Sequence, residues 1–305
     1  MLGLFLILPV FALYAEHLAG TTPLLVGIAI GAYGLTQAIL QIPFGMLSDH
    51  IGRKPVIVAG LLLFALGSVI AARADSIWGV ILGRAIQGSG AVAAAIMALA
   101  ADLTREEHRT KVMAMIGMSI GMAFALALVL GPILNDHIGV PGIFWVTAGL
   151  AVAGILIILF AVPTPPRSSL HRDAEAVPAL LARVFRDGQL LRLDFGIFTL
   201  HMMLTSVFLA LPLSLRDAGL AEARHWLLYL PVLIGSMLLM IPFVIAAEKY
   251  GRMKSVFLFA VALLALASII FWQGAHALWA LTLGLVVFFT AFNILEATLP
   301  SLVSR

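Results

Sequence analysis

The sequence predicts an all-α polytopic membrane protein built from two similar halves, and three observations carry that prediction. Hydrophobic residues make up 62% of the 305 and charged residues 11%, with a mean hydropathy of +1.11; an ordinary soluble domain has about 25% charged residues. The apolar residues fall into ten runs, each near the ~20 residues a helix needs to cross the hydrocarbon core. A charged turn between two of these runs, Gly45-Met-Leu-Ser-Asp49-His-Ile-Gly52-Arg53-Lys54, returns in weaker form as Glu248-Lys-Tyr-Gly251-Arg252-Met-Lys254, 199 residues on when counted from Arg53 to Arg252. In both copies an acid stands three residues before a Gly-Arg pair and a lysine follows it. Two membrane-embedded repeats of this kind are the architecture of secondary transporters.

The runs lie near residues 2–18, 23–47, 55–72, 77–101, 110–134 and 140–162, then 193–215, 225–247, 253–272 and 277–298. The first has no basic residues ahead of it and many spans after it, which argues for a retained span over a cleaved signal peptide; because the chain enters the membrane at once, further residues are expected upstream. Residues 1–162 make a six-span half. The stretch 163–192 opens Pro163-Thr-Pro-Pro, is rich in charge, and reads as a polar cytoplasmic linker. Residues 193–305 then hold four spans. Six spans against four predict two further helices after Arg305, so the chain reads as part of a twelve-span protein.

Orientation follows from the basic residues. With the first helix starting inside, 14 of the 18 Lys and Arg fall in cytoplasmic segments, among them Arg53, Lys54, Arg105, Lys111, Arg167, Arg172, Arg183, Arg186, Lys249, Arg252 and Lys254. Arg73, Arg216 and Arg224 fall outside, and Arg84 lies within a span. This reads as a multi-pass protein of the bacterial inner (plasma) membrane with a cytoplasmic N-terminus. A net charge of +3 is too small and too scattered for nucleic-acid binding. With no cysteine, a disulfide framework and a thiolate metal site are excluded. No P-loop, His-Glu-x-x-His or other enzyme motif is present. The expected partners are therefore a small-molecule substrate, protons and the lipid bilayer, for a monomer with no cofactor and no metal.

The charged turn has its own physics. Gly45 and Gly52 let helices approach and the backbone turn, while Asp49 and Arg53 are an i, i+4 pair if the helix runs on. Asp102 closes the fourth span on the same side. Gly45, Asp49, Gly52, Arg53, Lys54 and Asp102 are therefore expected to form a charge cluster that holds the cytoplasmic ends of spans two, three and four together; the alternative is a set of solvated charges that only fixes topology. The mirror cluster would be Glu248, Gly251 and Arg252 with Glu296, although Val244 stands where Gly45 does in the first copy. Glu296 has a second reading as a proton carrier.

Other polar residues lie inside the spans. Tyr33, Gln37 and Gln41 share one face of the second span at i, i+4 and i+8. With Tyr14, Gln87 and Asn293 they are candidates to line a substrate cavity, or else they bond neighbouring helices. The titratable candidates for carrying protons are Glu16, His201 and Glu296; Asp194 lies so near Arg192 that an interfacial ion pair is its simpler reading. Gly88 to Ala95 is a run of small residues suited to close packing. Pro43, Pro132, Pro231 and Pro242 are expected to kink or end helices.

Residues 45–54 resemble the signature loop of the major facilitator superfamily. Gly83-Arg84-Ala-Ile-Gln87-Gly88-Ser-Gly90 resembles that family's fourth-helix motif. Gly117, Gly121 and Gly131-Pro132 resemble the fifth-helix motif of its drug–proton antiporter branch, which departs here by reading Ile133-Leu134-Asn135-Asp136 after Gly-Pro. The resemblance covers the whole chain. It implies a fold of two six-helix bundles, a role for Arg84 in proton coupling (the alternative being an arginine that pins neighbouring helices), and proton-driven efflux of hydrophobic small molecules or drugs by alternating access. A facilitator or symporter of a small metabolite such as a sugar or organic acid stays open, as does a membrane protein that does not transport.

Overall fold

A computed structural model describes residues 2–164 and 187–303. Among these residues eight helices are long and apolar enough to cross a membrane, and they fall into two compact units. The linker arginines Arg167, Arg172, Arg183 and Arg186 lie outside the described residues.

The first unit opens with two short helices, α1 (Leu2–Phe5) and α2 (Phe11–Ala15), where the hydropathy predicts one span over 2–18. Pro9 has no N–H to give, and the chain passes it in tight turns with Leu8 N bonded to Phe5 O and Val10 N to Ile7 O. Helix α3 (Pro23–Ile51) starts with Thr22 as N-cap and Pro23 in its first turn, both standard start signals. At 29 residues it is about 44 Å long, well beyond the ~30 Å hydrocarbon core. Its last turns therefore carry Asp49 to the membrane surface. Gly52, at φ 101°, turns the chain straight into α4 (Arg53–Ala72); only glycine adopts that conformation without strain.

The predicted fourth span is α5 (Ile77–Ser89) and α6 (Ala93–Asp102), broken at Gly90. The fifth and sixth merge into α7 (Arg109–Leu156), divided inside by Gly139 at φ 67°, with a wide turn at Ile157–Ala161. Glycines bring α3, α4 and α5 into near-backbone contact. A Cβ on Gly83 would lie 2.7 Å from Ala71 N and 2.8 Å from Gly67 O, and one on Gly88 would collide with the Tyr33 carbonyl and Thr36 Oγ1. Backbone atoms cannot swing aside, so Gly88→Ala is expected to cost about 1–3 kcal/mol by overpacking, read as a lower melting temperature of the purified protein. Beneath the Gly52 turn, Val56, Ile57, Ala95 and Leu99 form a core flanked by Phe44, Leu61, Ile158 and Val162.

In the second unit Asp187 accepts from Gln189 N and Leu190 N and caps α8 (Gly188–Asp217). That helix begins five residues before the predicted span, so Arg192 and Asp194 lie within it. Helices α9 (His225–Glu248) and α10 (Met253–Gln273) follow. The last, α11 (Leu278–Val303), packs on the other three. Phe208, Tyr229, Phe288 and Phe289 are buried at their centre, with the Phe208 and Tyr229 rings 6.0 Å apart. In each unit the tryptophans gather at the helix ends away from the Gly-Arg turn. Trp78 begins α5 and Trp145 follows the Gly139 break; Trp226 begins α9, Trp272 ends α10 and Trp279 begins α11.

Candidate functional site

The charged turn of the first unit is a closed cluster. Arg53 forms an ion pair with Asp49 across the Gly52 turn, donates from Nε to Asp102 Oδ2 at 2.9 Å, and from Nη1 to Ser48 Oγ at 2.7 Å. Ser48 donates in turn to Gly45 O, and Gly45 sits where a Cβ would touch Ala94 of α6. The side chains are 11% (Arg53), 21% (Asp49) and 24% (Asp102) exposed. One guanidinium fork thus joins the ends of α3, α4 and α6. Lys54 Nζ bonds Val162 O just past the wide turn, adding the end of the sixth span.

The second copy is arranged differently. Among the described residues Arg252 pairs with neither Glu248 nor Glu296; it stands exposed at the N-cap of α10, after Gly251 at φ 65°. The two acids are out of register: the 199-residue offset that relates Arg53 to Arg252 carries position 102 to 301, and Glu296 lies five residues, more than one helical turn, before it. There Glu296 Oε2 is 3.8 Å from His201 Nε2 of α8. His201 Nδ1 is 3.0 Å from Ile197 O. A carbonyl can only accept, so Nδ1 carries a proton and a neutral His201 turns the lone pair of Nε2 toward the carboxyl group. At 3.8 Å the two facing atoms are within ion-pair range but beyond direct hydrogen-bond reach. Both residues are about half exposed, and the His201 ring meets the edge of Phe292.

Arg84 is 5% exposed on α5, where a charge near a helix centre costs about 2.5–3.5 kcal/mol on insertion scales. Its Nη1 donates to Gln87 Oε1 at 3.1 Å, and its guanidinium lies over the Tyr33 ring at 4.7 Å. Gln87 Nε2 donates to Ser68 Oγ at 2.7 Å, Ser68 donates to Phe64 O, and Thr147 Oγ1 donates to Ser68 at 3.3 Å. The chain ties α3, α4, α5 and α7 together.

The remaining candidates divide. Tyr33 and Gln37 line a cavity of about 250 Å³ with Phe64, Val92, Ile96 and Thr147. Gln41 is half-buried, and neither it nor Gln37 bonds another described residue. Gln87 and Asn293 are held in interhelical bonds, the latter to Ser236 Oγ at 3.2 Å. Tyr14 packs on Phe11, and Glu16 is exposed at the end of α2. Of the fifth-helix glycines only Gly131 is crowded, 2.7 Å from Leu6 O at its would-be Cβ; Gly117 and Gly121 face open space, and Pro132 continues within α7.

The profile of the Major Facilitator Superfamily matches residues 1–305. The chain belongs to that superfamily. The inner membrane transport protein YajR of Escherichia coli K12 is 52% identical over 305 residues, which are 100% of this chain and 67% of that protein. The multidrug resistance protein MdtH of Yersinia enterocolitica is 26% identical over 270 residues, 88% of this chain and 66% of that protein. Among solved structures, an inward-facing, unoccupied bacterial homologue of the human lysosomal transporter Spinster superposes with a TM-score of 0.75 at 14% identity, covering 99% of this chain and 71% of the other. That likeness concerns the fold. The chain is thus a multi-pass secondary transporter of the inner membrane, not an enzyme.

Three residues of these networks, Ser48, Ser68 and Thr147, lie outside the expected set. Ser48 carried a faint signal, a hydroxyl beside Asp49 and three residues from Gly45; the other two had none.

Proposed function

We propose that the chain belongs to a proton-coupled exporter of hydrophobic small molecules, working as a monomer by alternating access with its Gly-Arg turns on the cytoplasmic side. The observation that carries this reading is the His201–Glu296 pair, two titratable side chains that α8 and α11 bring within 3.8 Å of each other inside the spans. The Arg53 cluster supports a second element of the cycle, a contact that must break when the ends of α3, α4 and α6 part. The drug-resistance name of MdtH supports export over uptake.

The test uses everted membrane vesicles containing the full-length protein, acidified by respiration. Adding a transported hydrophobic dye should release protons, seen as recovery of a pH-sensitive fluorophore. Dye accumulation with no proton release would make the protein a facilitator. Proton and solute moving the same way would make it a symporter.

A further inference from the structure

Arg84 is a buried cation in a neutral shell. Among the described residues its partners are an amide, Gln87, and an aromatic face, Tyr33, and no carboxylate pairs with it. Asp49 and Asp102, acids of the same unit, are taken by Arg53. Gln87 is fixed by Ser68, which is fixed by Phe64 O and Thr147, so the guanidinium is held in place without being neutralised. The rest of its fork has donors to spare. Its Nε and Nη2 bond no described residue, yet the one sealed side-chain polar atom without a partner among the described residues is the Tyr229 hydroxyl. A fixed, uncompensated guanidinium with free donors is the arrangement that recognises a carboxylate or phosphate oxygen.

Tyr33 stands between this cation and an apolar space that Arg84 itself does not line. Arg84 lies over its ring, and the same side chain lines the cavity of about 250 Å³ walled by Phe64, Val92 and Ile96. That volume is below the roughly 300–1,000 Å³ of sites that enclose a drug-sized ligand, so it suits one apolar arm of a molecule. We infer that Arg84 is the countercharge for the acidic group of an amphiphilic organic anion, whose apolar body lies along Tyr33 in this cavity. The inference names the substrate class for the export reading and rests on that reading only for the direction of transport; binding of the anion stands apart from proton coupling.

The experiment titrates the full-length protein in nanodiscs with naphthalene-2-carboxylate and with its uncharged methyl ester, subtracting binding to empty nanodiscs. The acid is expected to bind about tenfold more tightly than the ester, the scale of one hydrogen bond to a charged group. Arg84→Gln should abolish that preference and Arg84→Lys should keep part of it. Gln87→Glu keeps the shape but sets a carboxylate beside Nη1 in place of the amide that donates to Ser68, and should abolish the preference in protein that still unfolds in one cooperative transition. Equal affinities for acid and ester in the unaltered protein overturn the inference, as does a preference that survives Arg84→Gln or Gln87→Glu. If the preference holds while dye-driven proton release is absent, the coupling reading falls and the anion site stands.

Discussion

Replacing Glu296 by glutamine is expected to cut proton-driven export to the level of protein-free liposomes while exchange of substrate for substrate continues. Glutamine copies the shape of a protonated glutamic acid, and its amide can donate to His201 Nε2, whose ring is fixed by the bond from Nδ1 to Ile197 O. The variant would keep the closed, proton-loaded geometry in every part of the cycle. It could then alternate with substrate bound but could not discharge a proton. The measurement compares export under an imposed pH gradient with counterflow at uniform pH in the same proteoliposomes. Loss of both activities would assign Glu296 to the transport step or the fold; retention of both would move proton carriage elsewhere.

The second large effect is expected from Arg53→Gln. The substitution removes the one cation that Asp49 and Asp102 share and leaves two partly buried acids facing each other. Exposed ion pairs contribute about 0–1 kcal/mol and removing one partner of a fully buried pair costs about 3–5 kcal/mol. A cluster exposed by 11–24% lies between these limits. A value of about 2 kcal/mol shifts the equilibrium between closed and parted helix ends by roughly 30-fold. Maximal transport rate should fall at least about tenfold, with substrate affinity in nanodiscs little changed. Arg53→Lys should recover only part of the rate, because an ammonium is a point charge without the fork that serves two acids and Ser48 at once. Asp49→Asn, which spares the Asp102 contact, should slow cycling less. Wild-type rates in all three variants would reduce the cluster to a topology signal.

Hydropathy made the spans legible because lipid is the solvent of each helix and imposes its composition residue by residue. The Arg53 cluster was legible for a related reason: Asp49 and Arg53 are close in sequence, and Asp102 sits at a helix end on the same side. What failed to show was contact between distant elements. Ser68 and Thr147 are 79 residues apart, and each looks like an ordinary small polar residue. His201 and Glu296 could each be picked out as titratable, but their pairing depends on how α8 packs on α11. The expected Arg252 cluster assumed that the two halves repeat side chain by side chain, and the position of Glu296 within α11 breaks that register. Local backbone events were also hidden. Pro9 divides the first apolar run and Gly90 the fourth without interrupting the hydropathy, whereas Gly139 falls in the polar gap expected between the fifth and sixth spans.

The placement of the tryptophans has a practical consequence. In each unit the indoles sit at the helix ends opposite the Gly-Arg turn, at the headgroup level that suits an amphipathic ring. With both Gly-Arg turns cytoplasmic, as proposed above, intrinsic fluorescence reads the outer leaflet. A quencher confined to that side should darken most of the emission, while the same quencher on the basic side leaves it bright. Sidedness of reconstitution can thus be scored on the unlabelled protein, before any flux is interpreted as inward or outward.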